Sequence, residues 1–519
     1  MTASQPPTIS HRRSILVLAV VGLSLMAVVS AVSGLNVALP SLARETGASQ
    51  TDLTWIVDAY TVVFAGLLLF AGALGDRYGR KLLLVMGLLI FGAAAALAMV
   101  VTEPAQLIGL RAAMGVGAAA IMPTTLSVIT TSFPVEERPR AIGVWVGVAG
   151  GGAVLGLFGS GLLLEFFAWQ SFFGLNVALA AIALLGVLAV VPSSADEHPP
   201  ALDWIGAILS LAAVGGTVFG IIEGPERGWD DPLTLGALGI GILALVAFVG
   251  WELRIRQPML DPRLFRNRAL SAGTLTITVQ FFAAFGFFFI VLQYLQFITD
   301  RSPLEAAVAL LPLPFVLLPI ARNAPHVAAR IGFRRVAPIG LLFMAAGFGL
   351  LSFLDAGSPY WFFATGLVLF AIGMGLAGTP STTAITAALP PSKQGVASAL
   401  NDTAREVGSA FGIAILGSVL NQAYRDGMTD AVASLPPAIA ERVLASIAFT
   451  AAPEVQQAGP AAAPIVAAAR DAFVGGVGDA VLVGSAVLVV AALAVVALAP
   501  HRSERPAAVP DPLVVPQRN

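Results

Sequence analysis

Residues 400–409 read LNDTAREVGS and set two carboxylates and a guanidinium, Asp402, Glu406 and Arg405, inside an otherwise apolar stretch. On a helix, Asp402 and Glu406 stand four apart and share a face, with Arg405 beside Glu406. A carboxylate held away from bulk water can exchange a proton for a cation, and a neighbouring guanidinium sets how readily it does so. Three other spacings carry chemistry. WIVDAYTVVFAG (55–66) places Asp58 in a second apolar run, and LIGLRAAMGVGAA (107–119) places Arg111 in a third. GALGDRYGRKLLL (72–84) concentrates Asp76, Arg77, Arg80 and Lys81 between two such runs, with Gly72, Gly75 and Gly79 interleaved.

The elements that must position these residues follow from composition. The chain has 519 residues, 57% of them hydrophobic and 11% charged, with a mean hydropathy of +0.87. A soluble chain carries roughly 25% charged residues. Apolar runs of about 20 residues, the length that crosses ~30 Å of hydrocarbon, recur from end to end. The sequence is therefore expected to be an all-α polytopic membrane protein embedded in the lipid bilayer. Net charge is −2, which gives no basic field for nucleic acid, and the absence of cysteine excludes disulfides and thiol catalysis. No Walker loop, metal-ligand cluster or nucleophile with its base occurs. No cofactor or metal is expected, and an enzyme is not. The first run, after Arg12 and Arg13, reads as a retained helix rather than a cleaved signal.

Fourteen spans are expected: 15–38, 52–72, 82–101, 105–131, 141–164, 170–191, 203–222, 233–252, 270–297, 304–327, 336–354, 360–386, 395–420 and 473–499. With the N-terminus inside, 19 of the 28 basic residues fall on the inner side and 6 on the outer; that bias obeys the positive-inside rule and puts both termini in the cytoplasm. SFPVEERPRAIG (132–143) and ALPPSKQGVASA (388–399) enter corresponding spans, at a repeat offset near 256–260 residues and in the same orientation. The chain thus divides into a tail (1–14), a six-helix half (15–191), two inserted helices (203–252), a second six-helix half (270–499) and a final tail (500–519). Parallel halves of this kind enclose a midplane cavity. Loop 421–472 is expected outside, with a short amphipathic helix in PPAIAERVLASIAF.

Depth adds weight to the embedded charges. At 1.5 Å per residue, Arg111 lies about 9 Å into its span, Asp58 roughly 6–9 Å below the outer surface, and Asp402 and Glu406 about 13–20 Å from the inner edge at Lys393. A charge at the centre of a bilayer costs at least about 2.5 kcal/mol, so these residues should face a cavity and not lipid. Lys and Arg alone would anchor the 72–84 loop; Asp76 among them suits a breakable latch. Gln280, Gln293, Tyr294 and Gln296, in QFFAAFGFFFIVLQYLQF (280–297), could supply polar wall.

The 72–84 stretch matches at every defining position the loop signature of the major facilitator superfamily, and the sequence resembles that family from about Ile15 to Pro500. Its second copy, PHVAARIGFRR (325–335), has Ala329 where Asp would stand. LIGLRAAMGVGAA resembles the arginine motif of the proton-driven antiporters. GVAGGGAVLGLFGSG (147–161) resembles their glycine motif in part, with Gly152, Gly156 and Gly161 kept but Leu157 and Ser160 departing from it. WIVDAYTVVFAG is similar to the second span of the 14-helix drug:proton antiporters, notably quaternary-ammonium exporters; the acid those carry in the first span is Ala31 here. The resemblance implies a monomeric carrier in a bacterial cytoplasmic membrane that exports amphipathic, cationic drugs or biocides against protons by alternating access. It implies cation and proton binding by Asp58, Asp402 and Glu406, coupling by Arg111 and Arg405, and a cytoplasmic gate formed by Gly72, Asp76, Arg77, Gly79, Arg80 and Lys81. The missing acid leaves open a dedicated exporter of a neutral or anionic natural product. A non-transporting sensor is the remaining alternative.

Overall fold

The computed structural model describes residues 11–134, 137–195, 201–389, 394–433, 435–452, 455 and 462–500, and among them there is no strand. In chain order the principal helices of the first half are α1 (His11–Ser33), α2 (Leu35–Thr46), α3 (Gln50–Tyr78), α4 (Arg80–Ala98), α5 (Pro104–Ser132), α6 (Arg138–Val154), α7 (Ser160–Phe166) and α8 (Gln170–Val190). The inserted pair is α9 (Trp204–Arg227) and α10 (Pro232–Glu252). The second half runs α11 (Arg268–Phe297), α12 (Pro303–Ala309), α13 (Pro312–Ile331), α14 (Phe333–Leu351), α15 (Tyr360–Ala387), α16 (Gln394–Val432), α17 (Pro437–Ala445) and α18 (Ala462–Leu498). Below, the end of the bundle carrying Asp76–Lys81 is called basal and the opposite end apical.

Thirteen stretches among the described residues are long and apolar enough to cross a membrane. The one remaining expected span, the fifth in order at 141–164, is not one unbroken helix. It is α6, a π-helical turn at Leu155–Gly159 and α7 in succession. Glycines occupy 150, 151, 152, 156, 159 and 161 here, and such a run resists a wide π turn least. A second expectation is corrected at loop 421–472. α16 continues for 39 residues to Val432, about 58 Å at 1.5 Å per residue, so its last third projects beyond a hydrocarbon core. α18 already begins at Ala462, which leaves only the segment around α17 between them. Lys393 and both chain termini lie outside the described residues.

The internal repeat is realised as packing. A methyl group placed on Gly87 of α4 would fall 2.9 Å from the Gly117 carbonyl of α5, and one on Gly340 of α14 would fall 2.8 Å from the Gly373 carbonyl of α15. Small residues that let backbones touch replace the missing hydrophobic drive inside a membrane. The basal turns repeat as well, with Gly79 at φ 111° and Gly332 at φ 87°, a left-handed region that L side chains avoid. Large apolar side chains such as Leu185, Leu243, Val246 and Leu493 are exposed on the outer faces, as lipid-facing surfaces require.

The inserted hairpin is held by its own glycines, Gly216 against Gly241. It also rests on both halves. Trp204 lies 4.6 Å from Phe70 of α3 between ring centroids, Trp55 Nε1 donates to Glu223 at 2.8 Å, and Ser418 of α16 donates to the Ile221 carbonyl at 2.8 Å.

Candidate functional site

The site is built where α3 and α5 of the first half meet α11 and α16 of the second. Gly115, one turn beyond Arg111, sets the approach of α5 to α3, since a methyl there would lie 2.6 Å from the Tyr60 carbonyl. That closeness brings the Arg111 guanidinium 4.4 Å over the Tyr60 ring, while its Nε donates to the Ile56 carbonyl at 2.9 Å. Arg111 is fully buried, and its second terminal nitrogen has no hydrogen-bond partner. A guanidinium has five N–H donors, so one backbone oxygen, the Met114 sulfur at 3.9 Å and one ring face leave it under-satisfied. The Tyr60 hydroxyl in turn donates to the Val28 carbonyl of α1 at 3.2 Å.

Asp58 stands two residues from Tyr60, about 200° around α3, so the two side chains leave the helix in nearly opposite directions. Its neighbours one turn either way define its face. Thr54 abuts Gly417 of α16, and Val62 packs with Ala410 and Ala414 of the same helix. Asp58 is fully buried. One carboxylate oxygen accepts from the Thr61 hydroxyl, and the other has no partner. The depth expected from the sequence is therefore filled by packed helix, and the carboxylate lies inside the α3–α16 seam.

On α16 the triad is split by environment. Asp402 is buried and Glu406 is half-buried, and each carboxylate feels the Arg405 charge. The Arg405 guanidinium sits 5.1 Å over Phe281 of α11, and its buried Nε has no hydrogen-bond partner. Glu406 also acts electrostatically on Tyr60, which joins the two halves through one charge and one ring. Asp402, Glu406, Ala410, Ala414, Gly417 and Asn421 recur at three- and four-residue steps, so a single stripe of α16 carries the carboxylates and the seam. Asp58 and Glu406 remain separate, about 12 Å apart along the helices by rise per residue.

The glycine motif packs α1. Methyl groups on Gly152 and Gly156 would meet Met26 Cα at 3.2 Å and Ser30 Cα at 2.8 Å; one on Gly161 would meet the Pro303 carbonyl of α12 at 3.2 Å. Gly161 thus contacts the opposite half. Sequence reading missed the counterparts of the other two, 256 residues on: Gly408 against Thr278 Cα (3.1 Å) and Gly412 against Phe282 Cα (2.8 Å). The repeat offset, applied residue by residue, would have found them. Tyr60 lies inside the Asp58 motif, where nothing in the sequence sets it apart from an ordinary packing aromatic.

Among the described residues, direct hydrogen bonds between the two halves lie at the apical end. Asn421 donates to Thr51 at 3.0 Å, Gln296 to the Val37 carbonyl at 3.0 Å, and Arg44 to the Gln296 carbonyl at 3.5 Å. Arg44 also lies 5.2 Å over Phe297. Of the polar residues expected to form a cavity wall, Gln296 belongs to this seal. Gln293 bonds its own helix at the Phe289 carbonyl, Tyr294 bonds the Asp355 carbonyl, and Gln280 bonds the Met374 carbonyl. At the basal end, Arg80 pairs with Asp76 at 2.8 Å. The Arg80 backbone N–H donates to the Ser194 carbonyl and Lys81 donates to the Leu188 carbonyl, while Arg77 stacks over Tyr78. Gly72 faces Pro123 and Gly75 faces Thr124 of α5. The described contacts of this loop are therefore to its own half.

The family model of the Major Facilitator Superfamily matches residues 19–413. The chain belongs to the major facilitator superfamily. It is 36% identical over 392 residues to the puromycin resistance protein pur8 of Streptomyces alboniger, covering 74% of this chain and 77% of that one. It is 32% identical over 472 residues to the multidrug efflux pump LfrA of Mycolicibacterium smegmatis, covering 91% of this chain and 93% of that one. Among solved structures, a bacterial homologue of the human lysosomal transporter Spinster, inward-facing and unoccupied, superposes with a TM-score of 0.62 at 16% identity; the match covers 95% of this chain and all of that one. That likeness speaks for the fold. The all-α, multi-pass membrane architecture and the membership in a transporter superfamily expected from the sequence stand.

Proposed function

We propose that this superfamily member exports amphipathic, cationic small molecules in exchange for protons by alternating access. One observation carries the reading: each half keeps charge inside the bundle, the Asp402–Arg405–Glu406 cluster on α16 with Arg405 over Phe281 and the Arg111–Tyr60 pair on α5 and α3, and the Glu406 charge acts on Tyr60. A carboxylate there binds a proton or a cationic substrate, and Arg111 responds to which of them is present. Asp402 and Asp58 extend the acidic path toward the basal and apical ends. Arg405 balances the α16 carboxylates. The names of the relatives, resistance and efflux proteins, favour export over uptake. In this reading the apical contacts of Thr51, Asn421, Val37 and Gln296 close the outward side. The Asp76–Arg80 loop engages the second half when that seal opens.

The test uses the full chain in proteoliposomes with an imposed pH gradient and an internal pH dye. Lipophilic cations should drive proton movement with the wild type and none with Asp402→Asn/Glu406→Gln. Cation-independent proton traces in both would reject antiport.

The unpartnered donors of Arg111 and Arg405 favour one second reading, a dedicated exporter of an anionic natural product. It predicts transport of organic anions that survives Glu406→Gln and fails in Arg405→Gln.

A further inference from the structure

The inserted hairpin carries a carboxylate pair outside the seam. Asp203 caps α9 by accepting from the Gly206 backbone N–H at 2.8 Å, and the same oxygen accepts from Trp251 Nε1 of α10 at 2.8 Å. Glu252 ends α10, and one of its oxygens accepts from the Leu260 N–H at 3.3 Å. Both side chains are more than nine-tenths buried, Asp203 at 8% exposure and Glu252 at 0%. The remaining oxygen of each, Asp203 Oδ2 and Glu252 Oε1, has no donor. These two oxygens meet over Gly206, where any side chain would collide with both; a methyl would lie 2.8 Å from Glu252 Oε1. Both inner oxygens fall within 2.8 Å of that one point, so the two carboxyls face each other across it.

Two ionised carboxylates with no cation between them repel at this distance. Three N–H donors hold the outer oxygens and none reaches the inner pair. Charged groups on the surrounding elements are committed or remote. Arg254 and Arg256 are exposed. Arg263 bonds the Leu253 carbonyl and lies 3.9 Å from Asp261. Asp76 and Arg77 of α3 lie beyond Phe70, and Asp402, Arg405 and Glu406 belong to α16. Asp203 is the one charged side chain that acts on Glu252.

We infer that Asp203 and Glu252 form a proton-binding site that holds one proton between Asp203 Oδ2 and Glu252 Oε1, leaving the pair with a single negative charge. The site is separate from the seam carboxylates. It fastens three pieces of chain: the start of α9, whose Trp204 packs tilted against Phe70 of α3; the end of α10; and the linker at Leu260, which packs against the basal cluster of Leu270, Leu400 and Ala404. Losing the proton sets two charges against each other and loosens the hold of Glu252 on the linker. The site thus makes the hairpin's attachment between the halves sensitive to protons.

The test is infrared difference spectroscopy of the purified full-length protein between mildly acidic and alkaline buffer, reading the carbonyl band of protonated carboxyls. Asp203→Asn and Glu252→Gln should each remove the same single band present in wild type, and the double variant should remove no more than either alone. Trp251→Phe should keep the band but shift its frequency, because it deletes a hydrogen bond to the same pair. Two separable bands, or none lost, would overturn the shared proton. A band that vanishes on adding Na⁺ or Mg²⁺ at fixed pH would give the space to a metal ion and overturn it equally. If the amide variants do not fold, the Trp251→Phe shift decides the matter alone.

Discussion

Asn421 of α16 donates a 3.0 Å hydrogen bond to the Thr51 hydroxyl of α3, joining residues 370 positions apart across the boundary between the two halves. Both side chains are buried, and the same stripe of α16 continues through Gly417 to Glu406. The apical seal and the embedded carboxylate therefore share one rigid helix, so a change at Glu406 that tilts α16 is transmitted to Thr51. Loss of a buried hydrogen bond costs about 1 kcal/mol, a roughly fivefold change in a two-state population. Asn421→Ala should shift the protein toward an apically open state by about that factor. The chain has no cysteine, so single cysteines introduced on α2 and α17 can report apical access to a membrane-impermeant thiol reagent without a prior deletion series. Unchanged labelling would mean that Gln296 and Arg44 hold the seal by themselves.

The Arg111–Tyr60 stack separates two contributions of one side chain. Tyr60→Phe keeps the ring under the guanidinium and deletes only the bond to the Val28 carbonyl, so export should fall no more than about fivefold for a loss of ~1 kcal/mol. Tyr60→Leu removes a desolvated cation–π contact worth about 2 kcal/mol and should lower export at least about tenfold. Vesicle uptake assays on matched amounts of folded protein distinguish the two. Equal losses would show that the hydroxyl, and not the ring, holds Arg111 in place.

The glycine motif gives a contrast inside a dozen residues. A methyl on Gly156 or Gly412 would lie 2.8 Å from a neighbouring Cα, while one on Gly151 meets nothing within 4 Å. Overpacking a close helix contact costs about 1–3 kcal/mol, whereas Ala replaces Gly on an open helix face with a gain of up to about 1 kcal/mol. Thermal unfolding in detergent should thus show Gly156→Ala and Gly412→Ala lowered by several degrees and Gly151→Ala equal to wild type or above it. A uniform response would mean that π-helical flexibility, and not contact, selects these glycines.

Embedded charge was readable from sequence because hydrocarbon penalises it, so Asp58, Arg111, Asp402, Arg405 and Glu406 stand out against apolar runs. Their partners were not, since Tyr60 and Phe281 are ordinary aromatic residues until the geometry shows a guanidinium over each. Asp203 and Glu252 escaped for the opposite reason: they sit at span ends, where charge is cheap and common. The two-half repeat was visible in the loops. Its consequence at Gly408 and Gly412 needed the offset and the packing together. The length of α16 was hidden because Asn421, Gln422, Arg425 and Asp426 read as loop, although they continue a helix that has left the hydrocarbon.

In the proposed reading, Asp58 carries the acidic path toward the apical side. It lies between Thr54 and Val62 on the face of α3 that meets α16, and no protein donor reaches its second oxygen. A buried carboxylate in that position is costly unless a proton or a cation occupies it. Asp58→Asn preserves shape and can still accept from Thr61, so it should fold with an unfolding midpoint within a few degrees of wild type. Export of lipophilic cations should be lost, because a neutral amide cannot exchange a proton for a cation. Transport assays beside detergent melting curves separate the two effects. Cation export at the wild-type rate would remove Asp58 from the path and leave Asp402 and Glu406 to carry it.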